Sequence, residues 1–237
     1  MRVLVAVALL LEAGYLALNR LGDLQRFVVE YIAISLAMSV FYLFGCWWAE
    51  KKSGGSTVVV VLAGLGFRLT VAGLYPTLTE DPHRYRWEGK LQAAGGNPYA
   101  TRPEDPRWAQ LRDRTWEKVN RKDLPTAYGP LLEWCYRLTY RAAAAATADE
   151  FTQVRLFKVP FLVFELATAV LLARWRPQAL VAYFWSPLVV VEFWGNGHTD
   201  SMLLFFLVAA LWATSAGRWG LAYGALWGAT LVKFWPA

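Results

Sequence analysis

Two carboxylates stand side by side at Glu80 and Asp81, inside the stretch Thr79–Gly89 that reads Thr-Glu-Asp-Pro-His-Arg-Tyr-Arg-Trp-Glu-Gly. An apolar run ends there and a long, charged, Pro- and Gly-rich loop begins. A carboxylate can take a proton from a hydroxyl, and neighbouring arginines can meet an anion. At the mouth of a hydrophobic bundle, that set suits deprotonation of a substrate hydroxyl beside an anionic group. Asp81 is the candidate base and Glu80 its alternative, while Glu80-Asp81-Pro82 is also an ordinary helix-stop and turn pattern.

Other polar groups extend the set. Arg84 reads either as a phosphate contact or as the i,i+4 partner of Glu88. Tyr85 and Trp87 have rings that can stack on a sugar, although interfacial aromatics are common in membrane proteins. Lys158 and Lys233, near the ends of apolar runs, suit a phosphate as point charges or snorkel to the headgroups. Arg68 lies deeper in its run, where a phosphate or a helix-helix hydrogen bond would hold it. His198 and Asp200 flank a glycine-led break and can orient a substrate or the loop. With two His and two Cys at no ligand spacing, zinc is not expected; an oxygen-ligated divalent ion on Asp81 and Asp200 is possible but not predicted. No cofactor is expected.

These residues need elements to position them. The 237-residue chain is 57% hydrophobic and only 18% charged, too apolar for an ordinary soluble domain. Its formal charge of +6 falls between apolar segments, where basic residues orient spans, so nucleic acid is not an expected partner. Apolar runs occupy Val3–Leu18, Phe27–Ala49, Thr57–Tyr75, Val154–Ala173, Ala179–Trp194, Ser201–Ala216 and Leu221–Ala237. At about 17–25 residues per span they predict an all-α, polytopic membrane protein with about seven transmembrane helices. The first is expected as a retained helix rather than a cleaved signal, because Glu12 interrupts its core and no small-x-small site follows. The last three runs are short and closely spaced, which predicts broken or bent helices beside a cavity.

The reading divides the chain into a three-helix segment over 1–75, a catalytic loop with a juxtamembrane helix over 76–153, and a four-helix segment over 154–237. Gly129–Ala146 carries Glu133, Arg137 and Arg141 at helical spacing and is expected to lie on the membrane rather than cross it. With the N-terminus cytoplasmic, Lys51, Lys52, Arg174, Arg176 and Arg218 then fall inside. The long loop, Glu192, Asn196–Asp200 and Lys233 share the exoplasmic face, making a multi-pass cell-membrane protein with its site outside.

The run Glu80–Gly89, followed by Asn97-Pro98-Tyr99, resembles the acidic first-loop signature of bacterial GT-C glycosyltransferases of the GT87-like, mannosyltransferase-like kind. Downstream pieces agree in order: Thr126–Leu132, Phe157-Lys158, Phe164–Ala169, Ser186-Pro187-Leu188 to Glu192, Gly197–Asp200 and Leu231–Pro236. The chain is also similar, more loosely, to the first mannosyltransferase of GPI-anchor synthesis, through Tyr128–Leu132, Lys158–Phe161 and Lys233–Pro236. The resemblance implies a polyprenyl-phosphate sugar donor, a glycan or lipid acceptor, inversion at the anomeric carbon and a catalytic acid residue at or beside Asp81. It adds Asn97, Tyr99 and Tyr128 as substrate contacts. Gly129 departs from the Tyr-Pro-Pro pattern of such enzymes, and relatives continue through several spans after the position of Ala237. A transporter or flippase, and a non-catalytic membrane subunit, are the competing classes; inverted repeats would favour the first, and none is visible.

Overall fold

The computed structural model describes residues 1–51 and 57–234; Lys52, Trp235 and Pro236, used above for topology and motif, lie outside them. Among the described residues the chain is all-helical. The α-helices run α1 (Arg2–Leu21), α2 (Val28–Lys51), α3 (Thr57–Val71), α4 (Asp81–Ala93), α5 (Pro130–Ala146), α6 (Glu150–Leu156), α7 (Val159–Trp175), α8 (Leu180–Phe184), α9 (Asp200–Ser215) and α10 (Trp219–Val232). Short 3-10 turns and a π-type segment, Val189–Gly195, connect them.

Among the described residues three stretches are long and apolar enough to cross a membrane: Arg2–Leu21, Val28–Lys51 and Glu150–Trp175. The other expected spans come out shorter. α3 has 15 residues, α9 has 16 and α10 has 14, against the roughly 20 that match a hydrocarbon core. The run Ala179–Trp194 is interrupted: α8 stops after five residues, and Pro187 follows within the next turn. A proline ring clashes with the carbonyl four residues back, which breaks the helix there. Pro160 does the same to the third long stretch, dividing it into α6 and α7 at Phe157-Lys158.

The chain folds as two compact units, each from two stretches of sequence: 1–78 with 165–196, and 79–164 with 197–237. The consecutive segments 1–75, 76–153 and 154–237 are thereby interleaved, and α7 is shared, contributing residues 159–164 to the second unit.

In the first unit α1 packs on α2 and α3, and α3 packs on α8 and the π-type segment. Gly64 makes the α3–α8 contact close, since a Cβ there would lie 2.3 Å from the Phe184 ring. α2 shows lipid-type exposure, with Val29, Leu36, Val40 and Leu43 all more than half exposed. Arg68 and Glu165 form a buried ion pair across α3 and α7. Arg68 also donates to the carbonyls of Gly64 at 2.7 Å and Phe184 at 3.0 Å. Such a pair holds only because both charges keep good partners.

In the second unit α4 and α5 lie against each other, α9 and α10 form a hairpin, and α5 touches α10. Their shared core is Tyr85, Leu132, Tyr136, Phe157, Phe161, Met202, Leu203, Ala229 and Val232. Two glycines set the approach. A Cβ on Gly89 would sit 2.4 Å from the Tyr136 carbonyl oxygen, so α4 meets the backbone of α5 directly. Gly129 explains its own departure from the Tyr-Pro-Pro pattern: its N–H donates to the Val232 carbonyl at 3.0 Å, which proline cannot do. A Cβ there would also lie 2.1 Å from the Leu231 carbonyl oxygen.

Candidate active site

The charged stretch after Thr79 is not open loop. From Asp81 it winds into α4, a 13-residue helix whose residues Pro82–Gly89 are all buried, His83, Arg84, Arg86 and Glu88 included. A polar helix buried on every side is stable only where its charges are paired. Arg84 Nε donates to Glu88 Oε1 at 2.6 Å, the i,i+4 pair the spacing allowed. Its other nitrogens donate to the carbonyls of Asn120 (3.3 Å), Arg121 (2.8 Å) and Leu124 (2.9 Å). Arg86 binds Gln153, Thr115 and Asp113, and Lys90 binds Asp113 and the Leu111 carbonyl. Burial pushes the Asp113 carboxyl up, but the Lys90 and Arg86 contacts win and hold it at about 2. The long segment between α4 and α5 is therefore a cover fastened by these basic side chains.

Asp81 opens α4, half-buried, with its backbone N–H on Thr79 Oγ1 at 3.2 Å. Asn120 Nδ2 donates to Asp81 Oδ1 at 2.6 Å, and the Tyr85 hydroxyl lies 3.5 Å from Oδ2. Glu80, exposed, caps the helix through its carbonyl, which accepts from the His83 N–H at 3.0 Å. Tyr85 is buried, stacked on Tyr136 at 4.7 Å and edge-on to Tyr128 at 5.3 Å. Its phenol is held far above its ordinary pKa by burial first, then by Tyr128, Asp81 and Asp200, so it stays a neutral donor beside these carboxylates.

Asp200, at the first turn of α9, pairs with Lys233 at 2.7 Å, and both remain partly exposed. Lys158 is buried, and its side chain passes beneath Gly197, where a Cβ would lie 3.0 Å from Lys158 Cγ and 3.7 Å from Pro82 Cγ. Gly197 adopts φ 73°, a left-handed turn that glycine enters freely, and His198, half-buried, follows it. An apolar groove of about 330 Å³ is lined by Thr139, Ala142, Ala143, Ala146, Val159 and Pro160, next in sequence to Lys158.

Eleven of the twelve residues singled out from sequence fall in this second unit; Arg68 is in the first, its donors committed as described. Three of the eleven hold the cover together. Asn97, exposed, accepts the Tyr99 N–H at 3.0 Å; Tyr99 donates its hydroxyl to the Tyr128 carbonyl at 3.0 Å. Tyr128 in turn uses its N–H on Thr126 Oγ1 at 3.1 Å. Among the described residues no three His, Cys, Asp or Glu side chains gather as a metal-holding group.

Two residues had no signal as site members in the sequence. Asn120 sits 39 positions from Asp81, and only the folded cover brings them together. Glu133, read as an interfacial charge, is buried against Glu88. It accepts from Thr126 Oγ1 at 2.7 Å and from Gln92 Nε2 at 2.7 Å. Glu88 Oε2 is buried with no hydrogen-bond donor of its own, beside the Glu133 carboxyl, where a proton on either acid would satisfy it. Burial and then Glu88 raise the Glu133 carboxyl to about 9; burial also raises Glu88, with Arg84 opposing.

Carboxyls whose folded pKa is raised lend stability that is complete below the unfolded pKa of about 4.3 and lost as pH climbs through the folded one. Melting temperature should therefore fall between about pH 5 and pH 9. Glu133→Gln, which keeps the shape and cannot ionise, should flatten that slope and raise the melting point at pH 8.5 by a few degrees, at about 2–4 °C per kcal/mol. A slope unchanged in the variant would place the proton elsewhere.

Among the described residues the chain is all-helical with membrane-length apolar stretches, and a half-exposed carboxylate held by Asn120 stands at the start of a buried polar helix, which fits a membrane-embedded transfer enzyme. The chain belongs to the MptA_B family, alpha-(1->6)-mannopyranosyltransferase, N-terminal domain, whose model matches residues 4–237. No curated protein and no solved structure matches it. It is thus a domain of a membrane mannosyltransferase family, whose chemistry joins a sugar donor to a glycan or lipid acceptor.

Proposed function

We propose that this domain carries the catalytic base of an inverting GT-C mannosyltransferase that takes mannose from a polyprenyl-phosphate donor at the exoplasmic face of a multi-pass cell-membrane protein. The observation that carries the reading is the placement of Asp81: a carboxylate half-exposed at a helix start, fixed by Asn120, in the same unit as Lys158 and the Lys233–Asp200 pair.

The step balances simply. An acceptor hydroxyl oxygen attacks the anomeric carbon as the carbon–oxygen bond to the polyprenyl phosphate breaks. The bonding pair leaves with the phosphate, and the hydroxyl proton passes to Asp81. Lys233 is the partly exposed cation suited to the developing phosphate charge. Lys158, drawn beneath the Gly197 turn, supports the backbone ahead of α9. The apolar groove beside Val159 and Pro160 has the character an isoprenoid tail needs. The exoplasmic assignment rests on the basic residues that the positive-inside rule puts on the other side.

The donor class is tested directly. With enzyme reconstituted in liposomes, a polyprenyl-phosphate mannose should support transfer and a nucleotide-diphosphate mannose should not. Transfer from the nucleotide sugar alone would overturn the reading.

A further inference from the structure

The carboxylate assigned as base does not hold itself. Asp81 has two oxygens with unequal partners: Oδ1 accepts from Asn120 Nδ2 at 2.6 Å, whereas the Tyr85 hydroxyl stands 3.5 Å from Oδ2, at the limit of a hydrogen bond. One oxygen is fastened and the other is left to take a proton.

The fastening is built into the backbone. Asn120 precedes Arg121, whose φ of 44° makes it the one non-glycine residue with positive φ among those described. A side-chain-bearing residue there is strained by about 1–3 kcal/mol and persists only when its surroundings enforce it. Here buried Arg84 enforces it, donating to the carbonyls of Asn120, Arg121 and Leu124, while Leu124 N–H closes the turn on the Arg121 carbonyl at 3.1 Å. Val119, buried on the other side of Asn120, anchors the approach. Strain of this kind, stored where a loop delivers a side chain to a carboxylate, marks a place where position matters more than stability.

We infer that Asn120 is a positioning residue for Asp81, holding Oδ1 so that Oδ2 is presented to the acceptor hydroxyl. This rests on Asp81 being the base. Asn120 touches neither the sugar nor the phosphate in this scheme; its effect passes through the carboxylate it binds.

Two substitutions test it, both leaving the Asn120 carbonyl for Arg84. Asn120→Ala removes the donor. It should lower kcat by about 10- to 100-fold with donor KM within about twofold, because orientation is lost in the transition state and not in binding. Asn120→Asp, nearly isosteric, sets a second carboxylate against the first and should lower kcat at least as far. Loss of folded protein lowers the amount of active enzyme and leaves kcat per folded molecule unchanged, so a structural role alone is distinguishable. If both variants keep the wild-type kcat per folded molecule while Asp81→Asn is inactive, Asn120 is not the positioning group and the base assignment stands. If Asp81→Asn itself turns over normally, the base assignment has failed and this inference with it.

Discussion

Asp81→Asn should abolish mannosyl transfer while the protein still folds and binds its donor. The side chain keeps its size and its place at the start of α4, and an amide oxygen still accepts from Asn120. What disappears is the capacity to take a proton. General-base help is worth about 10² to 10⁴ in rate, so kcat should fall by that factor with donor KM little changed. Glu80→Gln is the control, because Glu80 is exposed at the cap of the same helix. Turnover lost in Glu80→Gln and kept in Asp81→Asn would move the base one residue back. Turnover kept in both would remove the mechanism from this segment, and lower folded yield with unchanged specific activity would reduce Asp81 to a turn residue.

Arg84→Ala should act on stability first. The guanidinium holds four acceptors from the interior of the second unit: Glu88 Oε1 and the carbonyls of Asn120, Arg121 and Leu124. Removing it strands three carbonyls and leaves Glu88 buried beside Glu133 without its cation. Breaking a buried pair from one side costs about 3–5 kcal/mol, which at about 2–4 °C per kcal/mol lowers the melting point by roughly 10 °C. Glu88 can soften the loss by taking a proton, so the deficit should be smaller near pH 5 than near pH 8. A substrate contact would behave in the opposite way, with donor KM rising and the melting curve unmoved. Arg84→Lys, a point charge without the planar fork, should recover only part of the stability.

Much of the helical scaffold was legible because it depends on local composition. Runs such as Phe27–Ala49 bury no polar group and need no partner to be helical in lipid, and α2 follows that run to within two residues. The break in the run Ala179–Trp194 was legible in kind, since Pro187 cannot continue a helix, but the other two late runs form the continuous helices α9 and α10. The number of membrane-length helices was not legible: a run of apolar letters does not say whether its helix continues, and among the described residues three stretches reach membrane length. The interfacial reading of Gly129–Ala146 treated Glu133, Arg137 and Arg141 alike, because periodicity assigns a charge to a face without naming what covers that face. Trp134 is exposed and Glu133, its neighbour, is buried against Glu88.

The sequence by itself determined an apolar helical protein, the acidic pair Glu80-Asp81 at the end of an apolar run and the cations near it in sequence, because chain chemistry and hydrophobic length are local properties; that a helix starts at Asp81 came only from the structure. Tertiary structure alone decided which of those charges are spent on the fold. Arg84, Arg86 and Lys90 lie on a stretch whose composition reads as exposed loop; the two arginines become buried and Lys90 partly so because carbonyls, the Asp113 carboxylate and the Gln153 amide, 21 to 67 residues away in sequence, come to meet them. The same physics placed Asn120 on Asp81: a hydrogen bond needs about 2.6–3.2 Å, and nothing in a linear spacing of 39 residues specifies that distance.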